Sequence, residues 1–465
     1  LVYRDPATLS FVPGLATSWT VSEDGLAYDF ELREGVSFHD GTSLDAQAVA
    51  FNLDRIMTVG VGGRAQELLG TYSGYEIIGP RSIRLQLDEP YAGFLDALSQ
   101  FYLGIASPTA LQEFSVQRYQ FYQVGTGPFR FVNFIPGNFV EIERFDGYAW
   151  PPVFYETEVE LPVTHVRYVF YTDATERSNA LLSGEADVMS RIPPSDARAL
   201  AVNPQVQILP LTVPGQPYQL FLNTAQFPTD NVLVRQALLF ATNRTELVNT
   251  ALQGFSSPAY SPLTRATLFY SSGFDTAYAY NLLEARTLLE SAGFGDEDND
   301  GILDIDRVPL EVIVLILRDE ITPELIDRLI PQWRDAGVRA QVVVAPTRAS
   351  LLELIGEGDY NLVAVRTNGV EPGFLIDDFV ALDTPSWTNA EIESLSTDLL
   401  VAYGALDVQA RAGRYVAAQT TIMQEALLLP IADTVNLVGV SPQVQGLTYH
   451  ADQITPILSN VSFTP

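Results

Sequence analysis

The sequence has 465 residues, a formal net charge of −31, no cysteine, and 26 basic residues that are all arginine. Without cysteine there are no disulfides, thiolate nucleophiles or cysteine-bound metals, and without lysine there is no Schiff base or Walker phosphate loop. The acidic excess argues against nucleic-acid binding, which depends on clustered positive charge. The length predicts two or three domains. The longest unbroken apolar run, Val312–Leu317, is far shorter than the roughly 20 residues of a membrane-spanning helix.

The first part of the chain, up to about residue 120, has the pattern of an antiparallel sheet. Tyr28, Phe30 and Leu32 alternate with polar residues, as in a strand with one buried face. Residues 83–87 repeat this alternation. Between the two strands, Thr42 precedes a run with helical periodicity, so we expect Thr42 to be the N-cap of a helix.

A second sheet-rich stretch follows, from about residue 121 to residue 222. Apolar alternation predicts strands near 140–142, 166–170 and 218–222. A helix predicted at about 175–183 interrupts these strands and ends at Gly184, because glycine readily adopts the left-handed conformation that follows a helix.

From about residue 230 the pattern changes to alternating helices and strands. The elements predicted here are helices at 234–248 and 282–289, a strand at 310–317, a helix between Thr322-Pro323 and Gly337, a strand at 341–344, a short helix at 349–355, a strand at 360–365 and a long helix at 408–426. Their β-α-β-α-β order predicts a parallel sheet covered by helices. The chain thus combines a sheet-rich half with a separate α/β lobe, and ligands of such proteins usually bind between lobes.

Residues that usually carry enzyme catalysis are sparse. The three histidines, His39, His165 and His450, are far apart, and neither His-Glu-x-x-His nor Gly-x-Ser-x-Gly occurs. Acidic neighbours such as Asp377 and Asp378 are expected among 57 acidic residues, and nothing in the sequence marks one pair as catalytic. A secreted hydrolase stays open as an alternative, and it requires a carboxylate pair or a metal in a cleft.

Residues 296–304, DEDNDGILD, have the spacing of a calcium-binding loop. Carboxylates stand at loop positions 1, 3, 5 and 9, glycine at position 6, and a backbone carbonyl is available at position 7. Position 12 is Arg307, where an EF-hand has a bidentate glutamate. Two interpretations stay open, a structural Ca²⁺ site that stiffens the loop and an acidic surface turn; no cofactor is otherwise required. The predicted metal ligands are Asp296, Asp298, Asp300, Ile302 and Asp304.

One run of the sequence carries a family resemblance. Residues 15–42, LATSWTVSEDGLAYDFELREGVSFHDGT, closely resemble the signature of the family 5 extracellular solute-binding proteins, the oligopeptide-, dipeptide- and nickel-type receptors of ABC importers. The resemblance continues in order along nearly the whole chain, at 124–129, 173–189, 221–223, 234–237, 241–244, 281–293, 358–361 and 430–431.

The resemblance implies an α/β, two-lobed periplasmic-binding-protein-like fold of type II, in the large cluster with an extra sheet-rich subdomain. It places that subdomain of the first lobe at residues 1–120, the core sheet of the first lobe at 121–222 plus 431–465, and the second lobe at 223–430. The family also implies a strand and a secretory segment ahead of Leu1, which are not in this sequence.

The resemblance also indicates where ligand contacts are expected. In relatives, the strand around Phe221–Asn223 lines the hinge, and the loop after the Tyr360 strand captures the α-amino group of a peptide with an aspartate. Here that loop reads RTNGVEP from 366 to 372, with Val370 at the aspartate position. Either Glu371 substitutes for the aspartate, or the ligand has no free α-amine. The residues predicted to bind ligand are Tyr218, Phe221, Asn223, Arg366, Thr367, Asn368, Gly369, Glu371 and Trp387.

These features predict a monomeric, non-enzymatic receptor outside the cytoplasm, either periplasmic or lipid-anchored and secreted. It is expected to capture a peptide or another small solute between two lobes and to deliver it to an ABC permease in the membrane. The net charge favours cationic ligands through its long-range field. The alternatives are the secreted hydrolase and a degenerate receptor used for sensing.

Overall fold

The computed structural model describes residues 1–59, 63–155, 162–317, 321–380 and 386–464. Two large hydrophobic cores are separate from each other in these residues. One is built mainly from residues 1–105, and the other from residues 220–432. Two smaller clusters join residues 180–206 and 437–461. The described residues therefore contain more than one hydrophobic core.

The first part contains a four-stranded antiparallel sheet with the strand order β3-β4-β6-β5. Tyr28 and Phe30 are buried on one face of this sheet, while Asp29 on the other face binds Arg84, as the alternation predicts. The elements are β1 (Val2–Arg4), β2 (Phe11–Pro13), β3 (Ala16–Val21), β4 (Ala27–Leu32), α1 (Ala46–Val59), α2 (Arg64–Leu69), β5 (Tyr72–Gly79), β6 (Ser82–Leu87), α3 (Phe94–Ser99), α4 (Pro108–Glu113) and α5 (Val116–Tyr119).

The residue at the start of α1 differs from the expected one. Asp45, directly before the helix, accepts a hydrogen bond from the amide of Ala48 at 2.8 Å, as an N-cap carboxylate does. Thr42 lies in the preceding turn, where its hydroxyl donates to Asp40 Oδ1 at 2.6 Å. The expectation that Thr42 caps the helix is wrong, because the turn at Asp40 uses Thr42 and the helix begins later.

The second part of the chain, which runs from Phe129 to Thr212, contains two antiparallel sheets, whereas a single core sheet was expected. One has the order β7-β8-β9, and in the other the returning segment Val435–Val440 lies between β10 and β11. His39 attaches the first part to the second, because its amide donates to the carbonyl of Gly125 at 2.9 Å. The elements are β7 (Phe129–Ile135), β8 (Phe139–Arg144), β9 (His165–Val169), α6 (Ala174–Leu182), β10 (Val188–Met189), α7 (Pro194–Leu200) and β11 (Gln207–Thr212).

The third part is built on a five-stranded mixed sheet of order β16-β15-β17-β12-β18, whose first three strands are parallel as predicted. Trp333 on α11 is fully buried against this sheet. The elements are β12 (Tyr218–Leu222), α8 (Val232–Ala241), α9 (Arg244–Thr250), α10 (Leu282–Ser291), β13 (Asp304–Ile305), β14 (Val308–Pro309), β15 (Glu311–Leu317), α11 (Pro323–Asp335), β16 (Arg339–Ala345), α12 (Arg348–Glu357), β17 (Leu362–Ala364), α13 (Leu375–Phe379), α14 (Glu393–Gly404), α15 (Val408–Gln424) and β18 (Leu428–Ala432).

The chain then returns to the first lobe. The returning elements are β19 (Val435–Val440), β20 (Val444–Gln445), β21 (Thr448–Tyr449), β22 (Pro456–Ile457) and β23 (Ser462–Phe463), and short 3₁₀ turns occupy Phe101–Leu103, Ser272–Phe274, Pro372–Phe374 and Leu458–Asn460. No helix within the described ranges is long and apolar enough to cross a membrane.

The two crossings between the lobes lie a few residues away from the expected positions near 222 and 430. β12 pairs with β17 and β18, so residues 218–222 belong to the sheet of the second lobe. β11 and β19 pair with each other in the first lobe. The crossings are therefore residues 213–217 and 433–434. Periodicity had predicted the strand at 218–222 but not its partners, which decide to which lobe it belongs.

Candidate functional site

The loop that follows β17, here called the junction loop (residues 366–372), lies against the first crossing. The carbonyl of Thr367 accepts a hydrogen bond from the amide of Gln216 at 2.9 Å, and the amide of Thr367 donates to Gln216 Oε1 at 2.8 Å. The amide of Gly369 donates to the carbonyl of Pro214 at 3.0 Å. These hydrogen bonds fix the predicted ligand-binding loop at the junction of the two lobes.

Gly215 makes this close approach possible. Its φ is +126°, and a Cβ at this position would lie 2.3 Å from the carbonyl oxygen of Thr367 and 2.6 Å from Cα of Asn368. Only glycine fits such a contact. Asn368 pairs with Gly215 as an isolated β-bridge, and its side chain is exposed at the junction. Asn368 is thus one of the predicted residues whose side chain is exposed to solvent at the junction.

Arg366 and Tyr218 meet where both crossings come together. The guanidinium carbon of Arg366 lies 5.0 Å from the ring centroid of Tyr218, within the range of a cation–π interaction. Arg366 Nη1 donates to Thr434 Oγ1 at 3.2 Å, and the Thr434 hydroxyl donates to the carbonyl of Gln216 at 3.0 Å. Both predicted residues are half-buried. Their contacts join the junction loop to both crossings.

Glu371 belongs to a buried ionic cluster that connects the two lobes. Its two carboxylate oxygens bind Arg4 at 3.2 Å and Arg411 at 2.5 Å, and Arg4 Nε lies 3.0 Å from Asp96 Oδ1. All four side chains are at most 10 % exposed. Two positive and two negative charges balance each other, which limits the cost of burying them. Burial raises the pKa of Asp96, while the neighbouring Arg4 lowers it.

The cluster changes the expected role of Glu371. One of the two alternatives from the sequence is that this carboxylate substitutes for an aspartate that binds the α-amine of a peptide, and the other is a ligand without a free α-amine. In this structure both of its oxygens are bound by arginines of the protein, so Glu371 stabilises the contact between the lobes. The sequence did not indicate this pairing, because Arg4, Glu371 and Arg411 are hundreds of residues or several elements apart.

Trp387 is connected to the junction by hydrogen bonds through the side chain of Asp378. The indole N–H of Trp387 donates to Asp378 Oδ1 at 2.9 Å, and Gln216 Nε2 donates to Asp378 Oδ2 at 2.8 Å. Burial raises the pKa of Asp378 to about 7, and the two N–H donors partly oppose that shift. Trp387 itself is half-buried. The predicted tryptophan therefore positions a buried carboxyl directly behind the first crossing.

Phe221 and Asn223 lie inside the second lobe. Phe221 is fully buried, with its ring centroid 5.4 Å from that of Phe379. Asn223 Nδ2 donates to the carbonyl of Tyr360 at 2.9 Å, and its Oδ1 accepts from the amide of Ala225 at 3.0 Å. Both side chains are thus occupied inside the second lobe, Phe221 because β12 is an inner strand of its sheet, and Asn223, which follows β12, by its hydrogen bonds.

Several junction residues were missed in the sequence. Asp433 on the second crossing is one of them: burial raises its pKa to about 6, while Arg265 at 3.1 Å lowers it. In the sequence, the Pro-Gly pair before β12 indicated a close approach of the backbone at the first crossing. No sequence pattern indicated the other junction residues. The residues that the structure adds are Arg4, Asp96, Gly215, Gln216, Asp378, Arg411, Asp433 and Thr434.

The predicted metal loop is placed only partly as expected. One oxygen of each of Asp296, Asp298 and Asp304 lies within 4.8 Å of the other two. Asp300 is outside this group, since its Oδ1 accepts from the amide of Ile302 at 2.7 Å and its Oδ2 lies 3.4 Å from an arginine nitrogen. The loop lies in the second lobe, remote in sequence from the junction.

Two lobes joined by two crossings, with an extra sheet-rich part on the first lobe, define the class of two-lobed periplasmic binding proteins. The fold matches NikA from Brucella suis, solved with Fe(III)-EDTA, with a TM-score of 0.88 and 22 % identity over 100 % of this chain and 93 % of that chain. It also matches the oligopeptide-binding protein AppA from Bacillus subtilis, solved with a nonapeptide, with a TM-score of 0.77 and 19 % identity over 100 % and 92 %.

The sequence comparisons identify the family within this class. Residues 10–375 match the family described as "Bacterial extracellular solute-binding proteins, family 5 Middle", and the chain belongs to this family. A curated relative is the glutathione-binding protein GsiB of Escherichia coli strain K12, 27 % identical over 432 residues, which cover 90 % of this chain and 79 % of GsiB. The family resemblance and the predicted fold class are confirmed, and so is the general function of an extracytoplasmic solute-binding protein.

Proposed function

We propose that this protein binds a short peptide or peptide-like solute between its lobes, without cleaving it, and delivers it to the membrane permease of an ABC importer. The observation that supports the proposal is the position of the junction loop at the junction of the two lobes. The loop carries the exposed Asn368 beside the first crossing, and it ends in an ionic cluster that reaches the first lobe. A ligand held at this place touches both lobes, which is the condition for ligand-driven closure.

The choice of a peptide-like solute is supported by relatives. GsiB is named as a glutathione-binding protein, and glutathione is a tripeptide derivative. AppA was solved with a nonapeptide. Because Glu371 is already paired with two arginines, the α-amine of the ligand is expected to be bound by another group than this carboxylate. This favours a solute recognised mainly through backbone-type hydrogen bonds with the junction loop.

Of the two candidate activities, binding without cleavage agrees better with the arrangement of the carboxyl groups than hydrolysis does. The hydrolase alternative requires a pair of carboxylates with free access to a substrate. Of the neighbours Asp377 and Asp378, the first is exposed, whereas both oxygens of the buried second accept hydrogen bonds from the protein. Incubation of a bound peptide with the protein should therefore leave its mass unchanged in liquid chromatography–mass spectrometry. Cleavage products that are absent from a buffer control would support the hydrolase.

The first experiment is mass spectrometry of small molecules released from the purified protein by denaturation. We expect a peptide or glutathione-like compound, and isothermal titration with that compound should give a Kd tighter than about 10 µM. Light scattering after gel filtration should give the monomer mass of 51.1 kDa. Release of a metal chelate, together with no heat from glutathione or from di- and tripeptides, would contradict the peptide assignment but not the family.

A pair of matched variants tests the site. Asn368→Trp adds bulk at the exposed position beside the first crossing, and we expect it to weaken solute binding by about tenfold or more, since it blocks contact with both lobes. Asn138→Trp makes the same change at an exposed turn between β7 and β8, and affinity should stay within about twofold. Equal affinities of the two variants would place the solute elsewhere.

A further inference from the structure

Three aspartates of the loop between α10 and β15 converge on one point. One oxygen of each of Asp296, Asp298 and Asp304 lies within 4.8 Å of the other two. Three negative charges at such distances repel one another. In the described residues no arginine forms a salt bridge with these three carboxylates, and Arg339 Nη2 lies 3.4 Å from Asp300, outside this trio. The trio therefore has no ion-pair partner in the described part of the chain.

Asp304 provides a second, independent observation. It is 7 % exposed, and its Oδ2 is buried without a hydrogen-bond partner in the described part of the chain. Its position is fixed, because its amide donates to the carbonyl of Gly295 at 2.6 Å and the Gly295 amide donates back at 2.8 Å. A buried carboxylate oxygen without a donor costs free energy unless a cation binds it.

The loop also holds the other two carboxylates in place. The amide of Gly301 donates to Asp296 Oδ2 at 3.2 Å, and the amide of Asp300 donates to Asp298 Oδ1 at 3.1 Å. Asn299 and Gly301 have φ values of +64° and +89°, and these left-handed conformations turn the loop back toward Asp304. The two exposed carboxylates are thus oriented before any ion arrives.

We propose that residues 296–304 form a Ca²⁺ site with Asp296, Asp298 and Asp304 as carboxylate ligands. Oxygens on opposite sides of a Ca²⁺ ion are about 4.8 Å apart, whereas around Mg²⁺ they are about 4.1 Å apart. The three carboxylate oxygens lie within 4.8 Å of one another, so one Ca²⁺ ion can bind all three, and the spacing of residues 296–304 is that of a calcium loop. Asp300 is not a ligand in this arrangement, and the carbonyl of Ile302 and water complete the shell.

The expected affinity is modest. Position 12 of the loop is Arg307, so the bidentate glutamate of an EF-hand is missing. A site with three carboxylates and water has a Kd on the order of 10⁻⁴ M, as extracellular calcium modules do. The site is independent of solute binding at the junction and stiffens the second lobe. Its neighbours support this role, because the amide of Leu303 donates to the carbonyl of Gly337 and the amide of Leu310 donates to that of Leu303.

The test is calorimetric titration of the full chain after treatment with EGTA, using CaCl₂ and MgCl₂ at matched ionic strength. This match is needed because a net charge of −31 binds divalent ions non-specifically. We expect one Ca²⁺ site, a Kd near 10⁻⁴ M to within about tenfold, and a rise in Tm of about 3 °C at about 5 mM Ca²⁺, with a smaller rise for Mg²⁺.

Matched variants separate the site from general charge effects. Asp304→Asn and Asp298→Asn should each weaken Ca²⁺ binding by about tenfold or more, whereas Asp359→Asn, an exposed acid of the same lobe, should leave it unchanged. Asp298 is exposed, so its variant keeps the test valid even if the Asp304 variant does not fold. Equal shifts by Ca²⁺ and Mg²⁺, or Ca²⁺ binding unaffected by Asp298→Asn, would overturn the proposal.

Discussion

At the scale of single residues, the junction contains a buried carboxyl group, that of Asp378. In the described structure no cationic group lies within hydrogen-bonding distance of it. Asp378 is buried and accepts hydrogen bonds from Gln216 and from Trp387. Burial disfavours its charged form and raises its pKa to about 7. In the unfolded chain the same group titrates near 3.8. The folded protein therefore holds a proton on Asp378 that the unfolded chain has already lost.

This difference predicts how stability depends on pH. Between about pH 4 and pH 7 the folded state binds more protons at Asp378 than the unfolded state, so the free energy of unfolding falls as pH rises. The contribution approaches about 1 kcal/mol per pH unit in that window. Asp378→Asn removes it, and urea unfolding at pH 5, 6 and 7 should show a flatter profile than the wild type.

The control for this prediction is Asp359→Asn, which removes an exposed carboxyl from the same lobe. Its pH profile should parallel that of the wild type. Comparison of variants matters because Asp433, whose pKa burial raises to about 6, contributes with the same sign in both proteins. A profile for Asp378→Asn that runs parallel to the wild type would mean that Asp378 is already ionised in the folded protein at pH 5.

At the scale of elements, the start of α1 shows how a turn and a helix divide neighbouring polar residues. The turn uses Asp40 and Thr42, and the helix uses Asp45. The two arrangements look alike in sequence, because Thr42 and Asp45 are both good N-cap residues. The hydrogen bond to the amide of Ala48 shows which of them satisfies the free N–H groups of the helix.

We expect Asp45→Ala to destabilise the protein by about 1 kcal/mol, because it leaves an N–H group at the helix start without its acceptor. The effect should appear as a lower midpoint in urea unfolding followed by circular dichroism. Thr42→Ala should have a smaller effect, since its hydroxyl binds an exposed aspartate outside the helix. A larger loss for the Thr42 variant would restore Thr42 as the N-cap.

At the scale of the whole molecule, the contacts between the first part of the chain and the second lobe hold the lobes together. Glu371 binds Arg4 across this contact. Close by, the rings of Tyr91 and Tyr403 stack with centroids 4.6 Å apart, and the amide of Ala92 donates to the carbonyl of Tyr403 at 2.8 Å. Opening of the lobes at this edge must break these interactions, so they set part of the balance between open and closed forms.

Glu371→Gln weakens this contact, because it removes one charge and leaves two buried arginines with a single acid. We expect a larger radius of gyration in small-angle scattering without solute, and a return toward the wild-type value when solute saturates the protein. Glu353→Gln, at an exposed site on α12, should scatter like the wild type. If the Glu371 variant is folded by circular dichroism and has the wild-type radius, the ionic cluster does not control closure.

The sequence by itself determined the family, the two-lobed α/β fold and most elements, including the parallel strands β15, β16 and β17 and the long helix α15. These features follow from local signals, namely apolar periodicity, turn residues and a family signature within residues 15–42. The family resemblance assigned Asn368 and Arg366 to a ligand-binding loop, and this assignment stays a prediction until a bound solute is located. The residue pattern also suggested the calcium-type spacing of residues 296–304, which stays a prediction until an ion is titrated.

Only the tertiary structure decided which side chains meet. Pairing of β12 with β17 and β18 assigned residues 218–222 to the second lobe and so shifted the positions of the crossings. Phe221 is buried within that sheet, and Asn223 is held in the same lobe by its hydrogen bond to the carbonyl of Tyr360. The tertiary structure also brought Arg4 of the first part of the chain and Arg411 of α15 to the same carboxylate, that of Glu371. Such contacts join residues far apart in the chain, and each depends on charge balance and packing, which no local pattern encodes.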